Sequence, residues 1–424
     1  MIKRIKAGTR IGTVTIPSSK SFVHRLLICA ALGKRPVKIN LTGLSDDIMA
    51  TAVCLTQLGI QTAVEDSSIT VYPQKEIYNK SDIPKLPCGE SGSTLRFLIP
   101  VLGALDRTAW LIMEGRLPER PLSPYDAVLQ NKGMTIRRET LVGGEKALYC
   151  SGRLNPGIFS LPGNISSQFF TGLMLALPML NGDSVILAEG DMASEGYLRI
   201  TESILQQSGI AFEKTTPAEW RIHGGQSFRL PEEVKAEGDW SGAAFPLCLG
   251  ALSSGGISVL GLNRNSIQGD RGILDCLRAF GSEIRCGEDE VAVSLDRKEP
   301  IIIDAAPIPD LIPVLSVLAC AARGDSRIIN AERLRHKESD RLHSTAQMIA
   351  ALGGNVDELE DGLVIHGTGS LEGGTVDSCN DHRIAMSAGV AASICRKDVT
   401  ILGPECVSKS YPSFWNDLEE MKLE

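Results

Sequence analysis

An α/β fold made of six βαβαββ repeats is predicted by three regularities: two kinds of helix alternate along 424 residues, a β-prone run follows each helix, and five glycines recur at a near-constant period. The first kind of helix is almost wholly apolar. Its copies are FVHRLLICAALG, TLRFLIPVLGALD, QFFTGLMLALPMLNG, SGAAFPLCLGALSSG, PDLIPVLSVLACAARG and HRIAMSAGVAASICR, and they lead into VKINL, AWLIME, SVILAE, ISVLGL, RIINAE and VTILG. The second kind is amphipathic and ends at Gly59, Gly133, Gly209, Gly281 and Gly353, with a shortened sixth copy, FWNDLEEMKLE. Glycine at that position suits a helix C-terminus, and the spacing of 74, 76, 72 and 72 residues exceeds the period of common helical solenoids. Hairpin-like pairs such as EIRCGEDEVAVSL and NVDELEDGLVIHG follow, in which β-prone runs flank polar turn residues. The repeat alone suggests helices ringing sheets, with function left to the loops.

A chain of 424 residues exceeds one ordinary core and divides naturally into two domains of three repeats each. Its 43% hydrophobic content, with few aromatics and many small residues, suits helices packed closely on sheets. Eleven cysteines without CxxC pairs or histidines at metal spacing argue against disulfide frameworks and zinc sites, so no metal is expected, and a reducing, cytoplasmic setting fits best. The start, MIKRIKAGTRIGTV, has no apolar run behind its charges and does not read as a secretory signal. Residues Leu154 to Gly182 carry no charge, but Pro, Gly, Asn, Ser and Gln interrupt them, so a buried helix is expected rather than a membrane span. A net charge of −8 argues against a nucleic-acid partner.

Chemistry concentrates in the loops that open the apolar helices: PSSKSFVHR, GESGSTLR, GNISSQFF, EGDWSGAA, APIPDLI and CNDHRIA. Ser, Asn, Asp and Gly there are ordinary helix caps, and helix N-termini also attract anions. Capping does not account for the cations: Lys20, Arg25, Arg96, His382 and Arg383, joined in the second set of loops by Arg116, Arg120, Arg335, Lys337, Arg341 and Lys409. A cation near a helix N-terminus opposes the helix dipole unless an anion sits with it. The pattern therefore points to a ligand with two anionic groups, such as a phosphate and a phosphocarboxylate. The same loops hold Asp46, Asp47, Asp239, Asp310, Glu338 and Asp381. Glu338, three residues before Arg341, reads as a residue of a first helical turn that serves as proton donor or as ion-pair partner. His382 alone reads as a capping or solvated histidine. GESGSTLR lacks the Gly-Lys-Ser/Thr ending of a P-loop, though a phosphate-binding nest is compatible with it. No GxGxxG after a strand, GxSxG or HExxH occurs, which removes the main support for dehydrogenase, serine hydrolase and zinc protease readings.

Taken in order, IPSSKSFVHR, SGSTLR, LPERP, SSQF, IPDL, KESDRL, NDHRIAM and SKSYPSF resemble the loops of the 5-enolpyruvylshikimate-3-phosphate synthases, the enolpyruvyl transferases of the shikimate pathway. The resemblance spans the whole chain. It implies an inside-out α/β barrel of two domains, residues 1–18 with 238–424 and residues 19–237, each of three βαβαββ units, with the active site in the cleft between them. It also implies phosphoenolpyruvate and shikimate 3-phosphate as substrates, no cofactor, and action as a monomer. Carried over by position, Lys20, Ser21, Arg25, Ser166, Ser167, Gln168, Ser194, Tyr197, Asp310 and Lys337 resemble the ligands of shikimate 3-phosphate. Lys20, Gly92, Arg120, Gln168, Arg341, Arg383 and Lys409 resemble the phosphoenolpyruvate clamp, and Lys20, Asp310 and Glu338 the catalytic set. The chain departs from the family at Glu90, Ser93, Gly196 and Arg333. Glu90 is the awkward one, because a carboxylate there repels phosphoenolpyruvate unless Arg96 or Arg120 pairs with it. The sister enzyme acting on UDP-N-acetylglucosamine presents a reactive cysteine before an Arg-Pro pair, whereas this chain has no cysteine between Cys88 and Cys150. A relative that binds phosphometabolites without turnover is the alternative of a different class.

Overall fold

A computed structural model describes residues 1–73, 83–192 and 194–424. After β1 (Ile2–Ile5), the first repeat runs β2 (Arg10–Thr15), α1 (Lys20–Ala31), β3 (Val37–Asn40), α2 (Asp46–Gln57), β4 (Gln61–Glu65) and β5 (Ser68–Tyr72). The second runs β6 (Lys85–Gly89), α3 (Gly92–Ala104), β7 (Ala109–Met113), α4 (Tyr125–Gln130), β8 (Thr135–Thr140) and β9 (Lys146–Ser151). The third runs β10 (Ile158–Pro162), α5 (Ser167–Ala176), β11 (Ser184–Glu189), α6 (Glu195–Gln207), β12 (Phe212–Thr216) and β13 (Glu219–Ile222). The fourth is β14 (Glu233–Lys235), α7 (Trp240–Ala251), β15 (Ile257–Leu260), α8 (Ile273–Phe280), β16 (Glu283–Cys286) and β17 (Glu290–Ser294). The fifth is β18 (Ile302–Asp304), α9 (Ile312–Ala321), β19 (Arg323–Ile329), α10 (Arg341–Ala351), β20 (Asn355–Glu358) and β21 (Leu363–Thr368). The sixth is β22 (Gly374–Asp377), α11 (His382–Ala391), β23 (Val399–Leu402), α12 (Phe414–Glu420) and the short β24 (Lys422–Leu423).

The chain forms two compact units, Met1–Ser19 with Glu237–Glu424, and Lys20–Ala236. In three repeats the sheet follows one rule: the opening strand lies parallel to the second, which pairs antiparallel with a closing hairpin. This gives the orders β6-β7-β9-β8, β10-β11-β13-β12 and β18-β19-β21-β20. The first and fourth repeats exchange their opening strands. β14 lies parallel to β3, with Val234 opposite Ile39, and β2 lies parallel to β15, with Val14 opposite Val259. A parallel pair needs a long crossover whichever repeat supplies its strands, so the exchange leaves every sheet complete while carrying the chain between units. The sixth repeat lacks its own hairpin, and β1 supplies the antiparallel neighbour of β23, with Lys3 opposite Ile401.

The arrangement of layers differs from helices ringing sheets. All twelve residues of α7 and all ten of both α9 and α11 are buried, whereas β12 has no fully buried residue and β8 only one. A helix with no polar face must be enclosed, so the apolar helices form the core and outer sheet faces meet solvent. The amphipathic helices behave as their pattern suggests. The glycines after five of them, Gly59, Gly133, Gly209, Gly281 and Gly353, all have positive φ, from 72° to 102°, where a side chain is disfavoured. No helix among the described residues is long and apolar enough to cross a membrane.

Candidate active site

In the unit Lys20–Ala236, most of the candidate residues lie in or near the first turns of the apolar helices. Lys20 opens α1, and its Nζ lies 2.8 Å from Asp47 Oδ2 on α2. Arg25, one turn further, is buried, and its guanidinium lies 5.0 Å from the Phe97 ring centre. It donates to Thr201 Oγ1 at 2.7 Å, the Ser21 carbonyl at 2.6 Å, and both Thr171 Oγ1 and the Tyr197 carbonyl at 3.1 Å, which ties α1 to α5 and α6. Burial lowers its pKa to about 9 against the opposing fields of Tyr197 and Cys29. Gly92 opens α3 behind the N-cap Ser91. A Cβ at Gly92 would stand 2.7 Å from a terminal nitrogen of Arg96 and 2.8 Å from one of Arg120, so two guanidinium groups crowd this helix start. Ser166 caps α5 by accepting from Gln168 N at 3.3 Å, with the buried Ser167 between them. Gln168 accepts from Arg96 at 2.8 Å and donates to Ser93 Oγ at 3.0 Å, which joins the starts of α3 and α5. Ser194 precedes α6 in a left-handed conformation, φ 57°. The Glu90 carboxyl packs against Gly115, where a Cβ would collide with it.

The other unit builds a denser ionic cluster. Asp310 sits in a 3-10 turn before α9. Its Oδ1 accepts from Arg341 at 2.7 Å and Lys337 at 3.1 Å, its Oδ2 from Arg383 at 3.3 Å, and its carbonyl from Arg383 at 2.9 Å. Burial alone would raise the pKa of this carboxyl, but Arg383, Lys337 and Arg341 outweigh burial and hold it well below the carboxylate range. Arg341 is the hub, only 1% exposed. It holds Asp310 on one terminal nitrogen and Glu338 on the other, while its Nε donates to Asp381 at 2.9 Å. Burial opposes the charge of Arg341, and Asp381, Glu338 and Asp310 together more than restore it. Burial lowers the Lys337 pKa, with Asp310 opposing. Lys409 donates to the Asn380 carbonyl at 2.7 Å, just before α11.

Two local expectations are corrected. Glu338 lies ahead of α10 rather than on its first turn, because Lys337 is extended and Asp340 takes the capping role by accepting from His343 N at 3.1 Å. His382 is neither cap nor solvated: it is 1% exposed as the first residue of α11, and Asp381 is the cap, accepting from Arg383 N at 2.9 Å. No group of three or more His, Cys, Asp or Glu among the described residues is placed to hold a metal ion.

The family profile described as EPSP synthase (3-phosphoshikimate 1-carboxyvinyltransferase) matches residues 5–418. The chain belongs to the EPSP synthase family. It is 43% identical over 415 residues to the 3-phosphoshikimate 1-carboxyvinyltransferase of Clostridium acetobutylicum, covering 97% of this chain and 95% of that one. It is 40% identical over 410 residues to the protein of the same name from Clostridium kluyveri, again covering 97% and 95%. Among solved structures it resembles the EPSP synthase of Acinetobacter baumannii, with TM-score 0.80, 23% identity and coverage of 100% and 98%. It also resembles the enolpyruvyl transferase NikO of Streptomyces tendae, with TM-score 0.80, 18% identity and coverage of 100% and 97%. These two likenesses show a shared fold.

Against that family background, several residues enter the clusters that the motifs did not assign: Asp47 on Lys20, Arg96 on Gln168, and Asp381 on Arg341. Each was visible as a charged loop residue, but its partner lies 27, 72 or 40 positions away, which no local pattern encodes. The fourth repeat, without an assigned ligand, supplies Asp270. This buried carboxyl interacts electrostatically with Asp310 and Arg383.

Proposed function

We propose that this EPSP synthase family member transfers the enolpyruvyl group of phosphoenolpyruvate to the 5-hydroxyl of shikimate 3-phosphate, giving 5-enolpyruvylshikimate 3-phosphate and phosphate. The observation that carries the mechanism is one buried guanidinium, Arg341, holding the two carboxyls Asp310 and Glu338 on its two terminal nitrogens. Enolpyruvyl transfer needs one group to take a proton from the attacking hydroxyl and another to protonate the methylene carbon. The new C–O bond forms at C2 and gives a tetrahedral intermediate. Loss of phosphate, with one methyl proton returned to the group that protonated the carbon, then restores the double bond. Asp310, held ionised by three cations, suits the hydroxyl proton, and Glu338 serves the carbon.

Lys20, Gly92, Arg120, Gln168, Arg341, Arg383 and Lys409 form the phosphoenolpyruvate set in this reading. Lys20, Ser21, Arg25, Ser166, Ser167, Gln168, Ser194, Tyr197, Asp310 and Lys337 form the shikimate 3-phosphate set. The cations offset the phosphates and carboxylates of both substrates and stabilise charge as it moves. The sets draw on both units, 1–18 with 238–424 and 19–237 as domains, so one turnover needs the whole chain, acting as a monomer on an inside-out barrel scaffold without a cofactor. Pure protein mixed with both substrates should release phosphate in step with product. Asp310→Asn and Glu338→Gln should each cut kcat by about 10²-fold or more, and in Glu338→Gln shikimate 3-phosphate binding should change little. Binding without release would support a non-catalytic relative, release only with UDP-N-acetylglucosamine would support the sister activity, and unchanged kcat in both variants would remove the proposed roles.

A further inference from the structure

One helical turn below the Lys20–Asp47 pair, a line of buried hydrogen bonds joins α1, α2 and α3. His24 Nδ1 lies 2.7 Å from Thr51 Oγ1, Thr51 Oγ1 lies 2.7 Å from Thr94 Oγ1, and Thr94 Oγ1 donates to Ser91 Oγ at 2.8 Å. None of the four residues is more than 1% exposed. His24 follows Lys20 by four residues, as Thr51 follows Asp47, so each sits one turn along the same helix face as the charged residue.

The direction of every proton in this line follows from its far end. Thr94 gives its proton to Ser91, so Thr51 must give its own to Thr94, and Thr51 can then only accept from His24. The imidazole is thereby fixed as the Nδ1–H tautomer. Ser91 Oγ accepts from both Thr94 Oγ1 and Thr94 N, which leaves its proton to donate beyond the line, beside Gly92. His24 Nε2 is buried with no hydrogen-bond partner, and the ring meets Phe97 edge-on, with centroids 6.4 Å apart. Burial, partly offset by Asp47, pushes the His24 pKa down to about 3, so the ring stays neutral at physiological pH. A lone buried acceptor is costly, and three apolar side chains of the same shape would fill the space without that cost.

We propose that His24 is a positioning residue, whose Nδ1–H orders the Thr51, Thr94 and Ser91 hydroxyls in one direction and locks the first turns that hold Lys20 on its partner Asp47 and present Lys20 and Gly92 to phosphoenolpyruvate. A chain of aligned donors polarises each member, so the order set at His24 reaches the start of α3. The effect on turnover rests on the enolpyruvyl transfer proposed above, but the proton order does not.

Two measurements on the full chain separate the two. Nitrogen NMR of histidine-labelled protein should find His24 neutral and protonated at Nδ1 across pH 5 to 8, roughly the range over which an ordinary histidine titrates, and Thr51→Val should change the tautomer. In kinetics, Thr51→Val should raise KM for phosphoenolpyruvate about tenfold with kcat within about threefold, as loss of one hydrogen bond predicts. Thr51→Ser should restore both. Thr94→Val provides the same test at a second link should Thr51→Val not fold. An Nε2–H tautomer in the wild type, or folded valine variants with unaltered KM, would overturn the proposal. A wild-type protein without transfer activity would overturn the functional reading alone, leaving the tautomer to decide the proton order.

Discussion

At Gly92, the absence of a side chain leaves room for two guanidinium groups. A methyl group there meets guanidinium nitrogens of Arg96 and Arg120 at 2.7 and 2.8 Å, the movable ends of long side chains. Gly92→Ala should therefore leave thermal stability nearly unchanged while shifting both cations, and KM for phosphoenolpyruvate should rise by about tenfold or more, as loss of a charge-assisted contact predicts. Asp270 gives a second prediction. Burial first, and then the charge of Asp310, raise its pKa to about 6 against the pull of Arg383. The native state therefore binds a proton that the unfolded chain has released once pH exceeds about 4, and stability falls as pH rises through the window up to about 6. Asp270→Asn removes that penalty. Melting temperatures measured from pH 4 to 7 should show the variant gaining on the wild type as pH rises, by an amount of order 3 kcal/mol at most, and a constant difference would refute the assignment. Residues of this kind define the limit of sequence reading. Asp310, Glu338 and Arg341 stood out because cations and acids share short loops. Asp270 lay unnoticed in NRNSIQGDRG, since its importance comes from Asp310 and Arg383, 40 and 113 positions away.

Whole elements were more legible than pairings. The glycine period located five of the six amphipathic helices because a left-handed C-terminal residue is a local demand of the backbone, and the five positive φ values meet it. Sheet partners are not a local demand. β6 pairs with the next strand of its own repeat, while β14, opening an equivalent repeat, pairs with β3, some two hundred residues earlier. The enclosed position of the apolar helices was present in their lack of a polar face, though the repeat first suggested the opposite layering. Close packing of α3 against α5 illustrates the result. A Cβ at Gly172 would press on the Arg96 carbonyl at 2.6 Å and on the Tyr125 hydroxyl, and that hydroxyl donates to the same carbonyl at 3.1 Å. Neither neighbour can yield easily: one is helix backbone, and the Tyr125 ring is stacked on Phe169 at 4.4 Å. Gly172→Ala should destabilise the protein by about 1–3 kcal/mol through overpacking, seen as a lower denaturation midpoint. Because Arg96 and Gln168 sit on these same two helices, KM for phosphoenolpyruvate should rise with it.

For the whole molecule, the exchanged strands make the N-terminal segment part of a unit whose remainder begins more than two hundred residues later. β1 completes the sheet of β22 and β23, and β2 lies between β15 and β24. Deleting Met1–Ser19 thus removes strands from two sheets of one unit and leaves bare edges on β23 and β15, the kind of edge that invites aggregation. Lys20–Ala236 loses no strand, since its first-repeat sheet is completed by β14. The truncated chain should accordingly show protected amide exchange in α1, α3 and α5 and loss of protection in α7, α9 and α11. Turnover should vanish with the Asp310–Arg341–Arg383 cluster, while Arg25, Ser166 and Gln168 keep their local hydrogen bonds. Uniform loss of protection would instead mean that Lys20–Ala236 depends on the other unit for its stability, and retained turnover would mean that β1 and β2 are dispensable to the Asp310–Arg341–Arg383 cluster.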